Sequence, residues 1–165
     1  MSSDSTAYPR IAMIMIGVGM GGFALLLTLH RRGVPATLYE RDAGFNARSH
    51  LGGTLDLGWK SGQRALRENG LPDEFDKKSH PDADEIRICD GASKLHLKLG
   101  SEGEDAGVPR RVKDVRPQID RTDLRKLLLG AITPHLIQWD HALTFVRSLG
   151  NGQHELTFAN GFTTT

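Results

Sequence analysis

The sequence has a single cysteine, Cys89, among its 165 residues, and its formal net charge is only +1. One cysteine excludes an internal disulfide and is typical of a reducing compartment, so we expect a cytoplasmic protein. The small net charge gives no electrostatic reason to expect binding to nucleic acid or to an acidic membrane surface. The seven histidines are scattered and the sequence contains no HExxH or CxxC pair, so we expect no metal site.

Long uncharged runs are also scarce, with one exception near the beginning. Residues 11–29 carry no charge and are flanked by Arg10 and by Arg31 and Arg32. A run of that length could form a membrane-spanning helix. Four glycines interrupt it, however, and the segment that follows is strand-like and ends on an acid, which favours a soluble structure without a membrane partner.

That same stretch contains a glycine motif, GVGMGG at residues 17–22, between two apolar runs. Gly17 suits a tight turn out of a strand, Gly19 lets the backbone approach a pyrophosphate, and Gly22 allows a helix to lie close to the strand. Glu40 ends the next apolar segment, 18 residues after Gly22, near the spacing of an acid that binds a ribose. We therefore predict a βαβ unit of Rossmann-like type that binds a dinucleotide, in an α/β fold. A solvated loop position is the alternative for Glu40.

The rest of the chain predicts a mixture of short elements. Cys89 falls on an alternating strand and is expected to be a small buried hydrophobe. We expect residues 1–9 to be a disordered lead-in and residues 101–116 to be a mobile loop. The predicted helices cover 61–69 and 121–132, and 72–78 is predicted as a second short helix or a turn. A short strand covers 136–139, and two hairpins pair 85–89 with 94–99 and 142–149 with 154–158.

Five stretches together resemble the N-terminal part of class A flavoprotein monooxygenases, with the closest resemblance to the tetracycline-inactivating FAD monooxygenases. They are GVGMGG at 17–22, LYERD at 38–42, GGTLDLGWKSGQRALRENGL at 52–71, IDRTDLRKLLL at 119–129 and the IQWD and HALTFV segments at 137–146. The resemblance implies that residues 10–165 form an FAD-binding domain with an inserted β-hairpin region. It also implies that this domain is incomplete at its C-terminus, without the later FAD motifs and the substrate domain.

The activity implied by this resemblance is an NADPH-dependent hydroxylation of a small organic substrate, such as an aromatic compound or a polyketide. FAD carries the oxygen chemistry in such enzymes, so no catalytic side chain of this chain is expected. By resemblance, Gly17, Gly19 and Gly22 would approach the FAD pyrophosphate, Glu40 would hold the adenosine ribose, and Arg41 would lie near the adenine.

Three further cofactor-binding residues are implied by the resemblance. Arg48 matches an arginine associated with the nicotinamide cofactor, Asp56 matches a contact on the flavin side, and Arg125 matches an arginine that reaches FAD. Each has an ordinary alternative. Arg48 could be a surface charge, Asp56 could cap the next turn, and Arg125 could pair with an acid on its helix.

A second function remains open. The chain could be a non-catalytic dinucleotide-binding module or a truncated remnant, in which case it performs no oxidation. On its own the chain is expected to be inactive, and the sequence identifies neither the substrate nor the oligomeric state.

Overall fold

A computed structural model describes residues 13–17, 19–47, 52–81, 86–99, 116–150 and 152–165. The chain divides into two compact units. One comprises residues 1–48 and 128–165, and the other comprises residues 49–127.

The first unit contains a parallel three-stranded sheet. Strand β1 (Met13–Ile16) is followed by helix α1 (Gly19–Arg31) and strand β2 (Ala36–Tyr39), which is the predicted βαβ unit. Strand β7 (Ile137–Gln138) lies on the other side of β2, so the strand order is β1-β2-β7. Because both pairings are parallel, all three carboxyl ends lie at one edge of the sheet.

Helix α1 forms because its apolar residues recur at helical spacing. Phe23, Leu26 and Leu27 are buried, and they occupy one side of the helix. The helix ends at a Schellman motif, in which the Gly33 N–H donates to the His30 carbonyl and the Val34 N–H donates to the Leu29 carbonyl. The helix therefore has defined signals at both ends, a glycine turn before it and a glycine after it.

An antiparallel sheet completes this unit. It consists of β8 (Leu143–Gly150), β9 (Gln153–Phe158) and β10 (Thr163–Thr164), in the order β10-β9-β8. Tyr39, Leu156 and Phe158 form a buried cluster with Ile16 and Leu143 packed against it. The Tyr39 and Phe158 rings stack with their centroids 4.8 Å apart. The two sheets of the first unit are thus packed together through the last residue of β2.

The second unit contains shorter elements. Strands β3 (Thr54–Asp56) and β6 (Gln118–Asp120) pair in antiparallel fashion, with Leu55 opposite Ile119. Helices α2 (Gly62–Glu68) and α3 (Pro72–Asp76) follow β3, and β4 (Ile86–Cys89) pairs with β5 (Leu95–Leu99) in a hairpin. Helix α4 (Arg121–Ala131) begins directly after β6, and the boundary between the units falls within it.

The predicted helices and hairpins occur in the predicted order, but the burial of Cys89 and two additional strands differ from the prediction. Cys89 is exposed rather than buried, because no described part of the chain covers the β4–β5 hairpin, where Ile88 is 50% exposed. Strands β6 and β10 were not predicted; β6 pairs with β3, and β10 pairs with β9 next to the hydrogen bond from the Phe158 N–H to the Phe162 carbonyl. The predicted lead-in at 1–9 and nearly all of the predicted loop at 101–116 lie outside the described residues.

The alternative of a single helix over residues 11–29 is wrong. Residues 13–16 form a strand, and the helix begins only at Gly19. Across the described ranges, no helix combines the length and the apolar character needed to cross a bilayer.

Candidate functional site

The carboxyl edge of the parallel sheet brings the glycine motif next to Glu40. Ile16 is opposite Tyr39 in the pairing of β1 with β2, and Tyr39 is opposite Gln138 in the pairing of β2 with β7. The Gly17 N–H donates to the Tyr39 carbonyl at 3.1 Å, so the turn after β1 is fixed to the end of β2. Ligands of open parallel sheets bind at this edge, beyond the strand ends.

The turn requires glycine for its backbone conformation. Gly17 has a φ of +56° and Gly19 has a φ of +54°, values that residues with a Cβ rarely adopt. A Cβ placed on either residue would have no atom of the described residues within 4 Å. The space beside the turn is therefore open, and Gly22 is buried on α1.

Helix α1 begins within this turn, at Gly19, and no acidic residue lies in its first turn. The first four N–H groups of a helix have no partner inside the helix, and the helix dipole makes this end positive. A phosphate-binding turn needs open space, a glycine backbone that a phosphate can approach closely, and N–H groups without partners inside the helix.

Glu40 is almost completely buried, with 3% of its surface exposed. Its backbone is fixed on both sides, because its N–H donates to the Gln138 carbonyl at 2.9 Å and its carbonyl accepts from the His141 N–H at 2.9 Å. Among the described residues, its carboxylate accepts one hydrogen bond, from the Asp42 N–H at a long 3.4 Å. A carboxylate can accept several hydrogen bonds, so within the described residues Glu40 has unused acceptor capacity at the sheet edge that also carries the glycine turn. Hydroxyl groups such as those of a ribose can donate hydrogen bonds to a carboxylate of this kind.

Of the other four predicted residues, one follows Glu40, two belong to the second unit and one lies outside the described residues. Arg41 follows Glu40 and is exposed. In the second unit, Asp56 ends β3 and is exposed, whereas Arg125 lies on α4 and is only 5% exposed. Arg48 lies outside the described residues. The structure thus brings together Gly17, Gly19, Gly22 and Glu40, and the cofactor-binding roles of all eight residues remain predictions.

Sequence reasoning missed two residues that hold this edge together. The Asp140 N–H donates to the Asp42 carbonyl at 2.9 Å, and the His141 N–H bonds to Glu40 as described above. Asp140 has a φ of +59°, which is uncommon for a residue with a side chain. The available signal was an aspartate directly after a short strand, since aspartate tolerates this conformation better than most residues.

No group of three or more His, Cys, Asp or Glu side chains within the described residues is arranged to hold a metal ion.

No protein-family model matches the sequence. Solved structures do match the fold. One is a protein described as an FAD-containing monooxygenase from Photorhabdus luminescens subsp. laumondii, with a TM-score of 0.67 and 21% identity. The match covers 93% of this chain and 36% of that protein. The chain has the fold of one part of these FAD-dependent monooxygenases.

Two further neighbours support this fold assignment. Tetracycline destructase Tet(51) has a TM-score of 0.59 at 20% identity, and HpxO from Klebsiella pneumoniae, complexed with FAD and uric acid, has a TM-score of 0.65 at 15% identity. Each match covers 93% of this chain and 36% of the neighbour. The chain thus spans little more than a third of these monooxygenase-fold proteins, and the resemblance found in the sequence is confirmed at the level of the fold.

Proposed function

We propose that this chain binds the adenosine diphosphate half of FAD and forms part of the FAD-binding portion of an NADPH-dependent flavoprotein monooxygenase. The observation that carries the proposal is the buried carboxylate of Glu40, with unused acceptor capacity, at the sheet edge that also holds the glycine turn. A dinucleotide needs both features, a turn for its phosphates and an acceptor for its ribose.

Each residue at the edge has a distinct part in this binding. Gly17 and Gly19 leave space for the pyrophosphate, and the N–H groups at the start of α1 would donate to it. Glu40 would accept hydrogen bonds from the adenosine ribose. Burial strengthens these bonds, because little water competes for the carboxylate.

The remaining assignments follow the family resemblance. Arg41 would lie near the adenine, Asp56 and Arg125 would contact the flavin side of the cofactor, and Arg48 would serve the nicotinamide cofactor. When bound, FAD supplies the oxygen-transfer chemistry, while the protein orients it. The substrate would be a small organic molecule that FAD hydroxylates at the expense of NADPH, as the resemblance to small-molecule monooxygenases suggests.

A titration of the purified chain with FAD tests the proposal. We expect saturable quenching of flavin fluorescence, with ADP competing for the same site. Glu40→Gln keeps the shape but removes the charge, and loss of a hydrogen bond to a charged group costs about 1.5–3 kcal/mol. Affinity for both ligands should therefore fall by about tenfold or more.

Glu74→Gln is the matched control, since Glu74 is an exposed carboxylate on α3. It should bind FAD as the unaltered chain does. A folded sample that neither quenches FAD nor binds ADP at millimolar concentration would refute the proposal.

The second candidate function is a non-catalytic dinucleotide-binding module. The glycine turn and the buried carboxylate of Glu40 suit it equally well, because both features bind a dinucleotide and neither carries out an oxidation. NADPH consumption in the presence of added FAD separates the two functions in a protein that carries this chain and spans the length of the neighbours, because this chain on its own is expected to be inactive. A module that only binds the dinucleotide would consume none, whereas a monooxygenase oxidises NADPH.

A further inference from the structure

The connection from β7 to β8 runs beside the segment that contains Glu40. Three backbone hydrogen bonds join them, each 2.9 Å long, and they extend the β2–β7 pairing beyond the strand ends. The donors and acceptors alternate between the two segments: Glu40 N–H to Gln138 O, His141 N–H to Glu40 O, and Asp140 N–H to Asp42 O. The position of the Glu40 backbone therefore depends on the conformation of residues 139–141.

That conformation is an unusual one. Asp140 has its φ at +59°, and a side-chain-bearing residue keeps such a conformation only where its surroundings hold it. The Asn160 side chain supplies this support from the turn between β9 and β10. Its Nδ2 donates to the Asp140 carbonyl at 2.9 Å, while its Oδ1 accepts from the Phe162 N–H at 2.9 Å. One amide thus joins the β9–β10 turn to the connection beside Glu40.

The His141 ring strengthens the same junction. Its Nδ1 donates to the Trp139 carbonyl at 2.6 Å, which fixes the orientation of the ring. The ring lies edge-on to Tyr39, Phe158 and Phe162, with centroid distances of 5.2, 5.1 and 5.1 Å. The Asn160 side chain bonds to Asp140, and the aromatic rings pack against His141, the next residue. The antiparallel sheet therefore holds the connection from β7 to β8 at both residues.

We propose that Asn160 is a positioning residue for Glu40, acting through the Asp140 carbonyl to place the carboxylate for the adenosine ribose. The inference rests on the proposed function, because it assumes that Glu40 binds this sugar. It goes beyond the proposed function, because a turn of the antiparallel sheet would take part in recognition of the ribose. Asn160 itself touches no ligand in this account.

Asn160→Asp is the informative variant, because it changes only one of the two bonds. The carboxylate can still accept from the Phe162 N–H and keep the turn, but it cannot donate to the Asp140 carbonyl. The measured quantity is the affinity for ADP divided by the affinity for 2′-deoxy-ADP. Both nucleotides carry the same phosphates, so the added negative charge cancels in this ratio.

The unaltered chain should bind ADP about tenfold more tightly than 2′-deoxy-ADP, as the loss of one charge-assisted hydrogen bond predicts. Asn160→Asp should reduce this preference to about threefold or less, because Glu40 no longer has its fixed position. Glu40→Gln should reduce the preference to a similar extent. Gln153→Glu is the matched control, an amide-to-carboxylate change at an exposed residue that begins β9, and it should keep the full preference.

The outcomes separate the inference from the function on which it rests. If the unaltered chain binds ADP and 2′-deoxy-ADP equally, Glu40 does not recognise the ribose, and both fail. If the unaltered chain and Gln153→Glu discriminate and a folded Asn160→Asp does so equally well, the positioning role alone is overturned. Should Asn160→Asp not fold, Asn160→Ser takes its place, since a hydroxyl can accept within the turn but is too short to reach Asp140; a full preference in that variant would overturn the inference too.

Discussion

Three glycines of the first unit share one backbone conformation, and alanine at each of them separates stability from ligand binding. Gly17 and Gly19 have φ values of +56° and +54° at the start of α1, and Gly33 has +70° just after its end. A Cβ on any of the three would have no atom within 4 Å. Alanine therefore introduces no steric clash with the described protein at these positions, and its cost is the unfavourable backbone conformation.

That cost is about 1–2 kcal/mol for an L-residue with a positive φ. The lower entropy of alanine in the unfolded chain offsets about 0.4–1 kcal/mol of it. Gly17→Ala, Gly19→Ala and Gly33→Ala should each lower the free energy of unfolding by about 1 kcal/mol, which urea titration without ligand would measure.

FAD binding should distinguish the three variants. A methyl group at Gly17 or Gly19 would occupy the space proposed for the pyrophosphate, and overpacking of this kind costs about 1–3 kcal/mol. The dissociation constant for FAD should rise about ten- to hundredfold in those two variants and stay unchanged in Gly33→Ala. Equal loss of affinity in all three variants, or full affinity in Gly19→Ala, would refute the argument that the turn is a phosphate site.

Other predictions concern single contacts. Asp140→Val should lower the free energy of unfolding by about 1–2 kcal/mol, because a β-branched residue disfavours a positive φ. Asp140→Gly should change the free energy of unfolding by less than about 0.5 kcal/mol, since glycine adopts a positive φ without strain. Thermal unfolding measures both changes. Gly62→Ala would place its Cβ 2.7 Å from Leu57 Cδ2 and should lower the free energy of unfolding by about 1–3 kcal/mol. The loss of stability caused by Gly62→Ala should be smaller in a chain that also carries Leu57→Ala. If the losses of stability of the two single variants simply add in the double variant, no clash exists between these residues. The hydrogen bond from His96, together with two backbone N–H groups, lowers the pKa of the exposed Asp90. Stability from these hydrogen bonds is present above the unfolded pKa of Asp90 and is lost as the pH falls through its lower folded pKa. The amide resonances of Ala92 and Lys94, whose N–H groups donate to Asp90, should therefore titrate below the ordinary aspartate range. Asp90→Asn should abolish this pH response.

Local sequence patterns predicted the βαβ unit well, because its signals are short in range. A glycine turn has few alternative backbone conformations, and the apolar spacing of Phe23, Leu26 and Leu27 selects one buried side of α1. The placement of Glu40 beside Gly17 follows from parallel pairing, which brings successive strand ends to one edge.

The parts that sequence reasoning missed depend on contacts between distant segments. Asn160 reaches Asp140 across 20 positions, and nothing in the residues around either one indicates the other. Cys89 was expected to be buried but is exposed. An alternating strand has a buried side only where another element of the fold covers it. Burial of that kind depends on tertiary packing rather than on strand propensity.

The most direct test of the account is an amide NMR titration of the isotope-labelled chain with ADP. We expect saturable shifts at Gly17, Gly19 and Gly22, together with shifts at Glu40, and a much weaker response in Glu40→Gln. A folded chain whose amides at these positions do not move at saturating ADP, or whose shifts fall only elsewhere, would contradict the claim that this sheet edge binds the adenosine half of FAD.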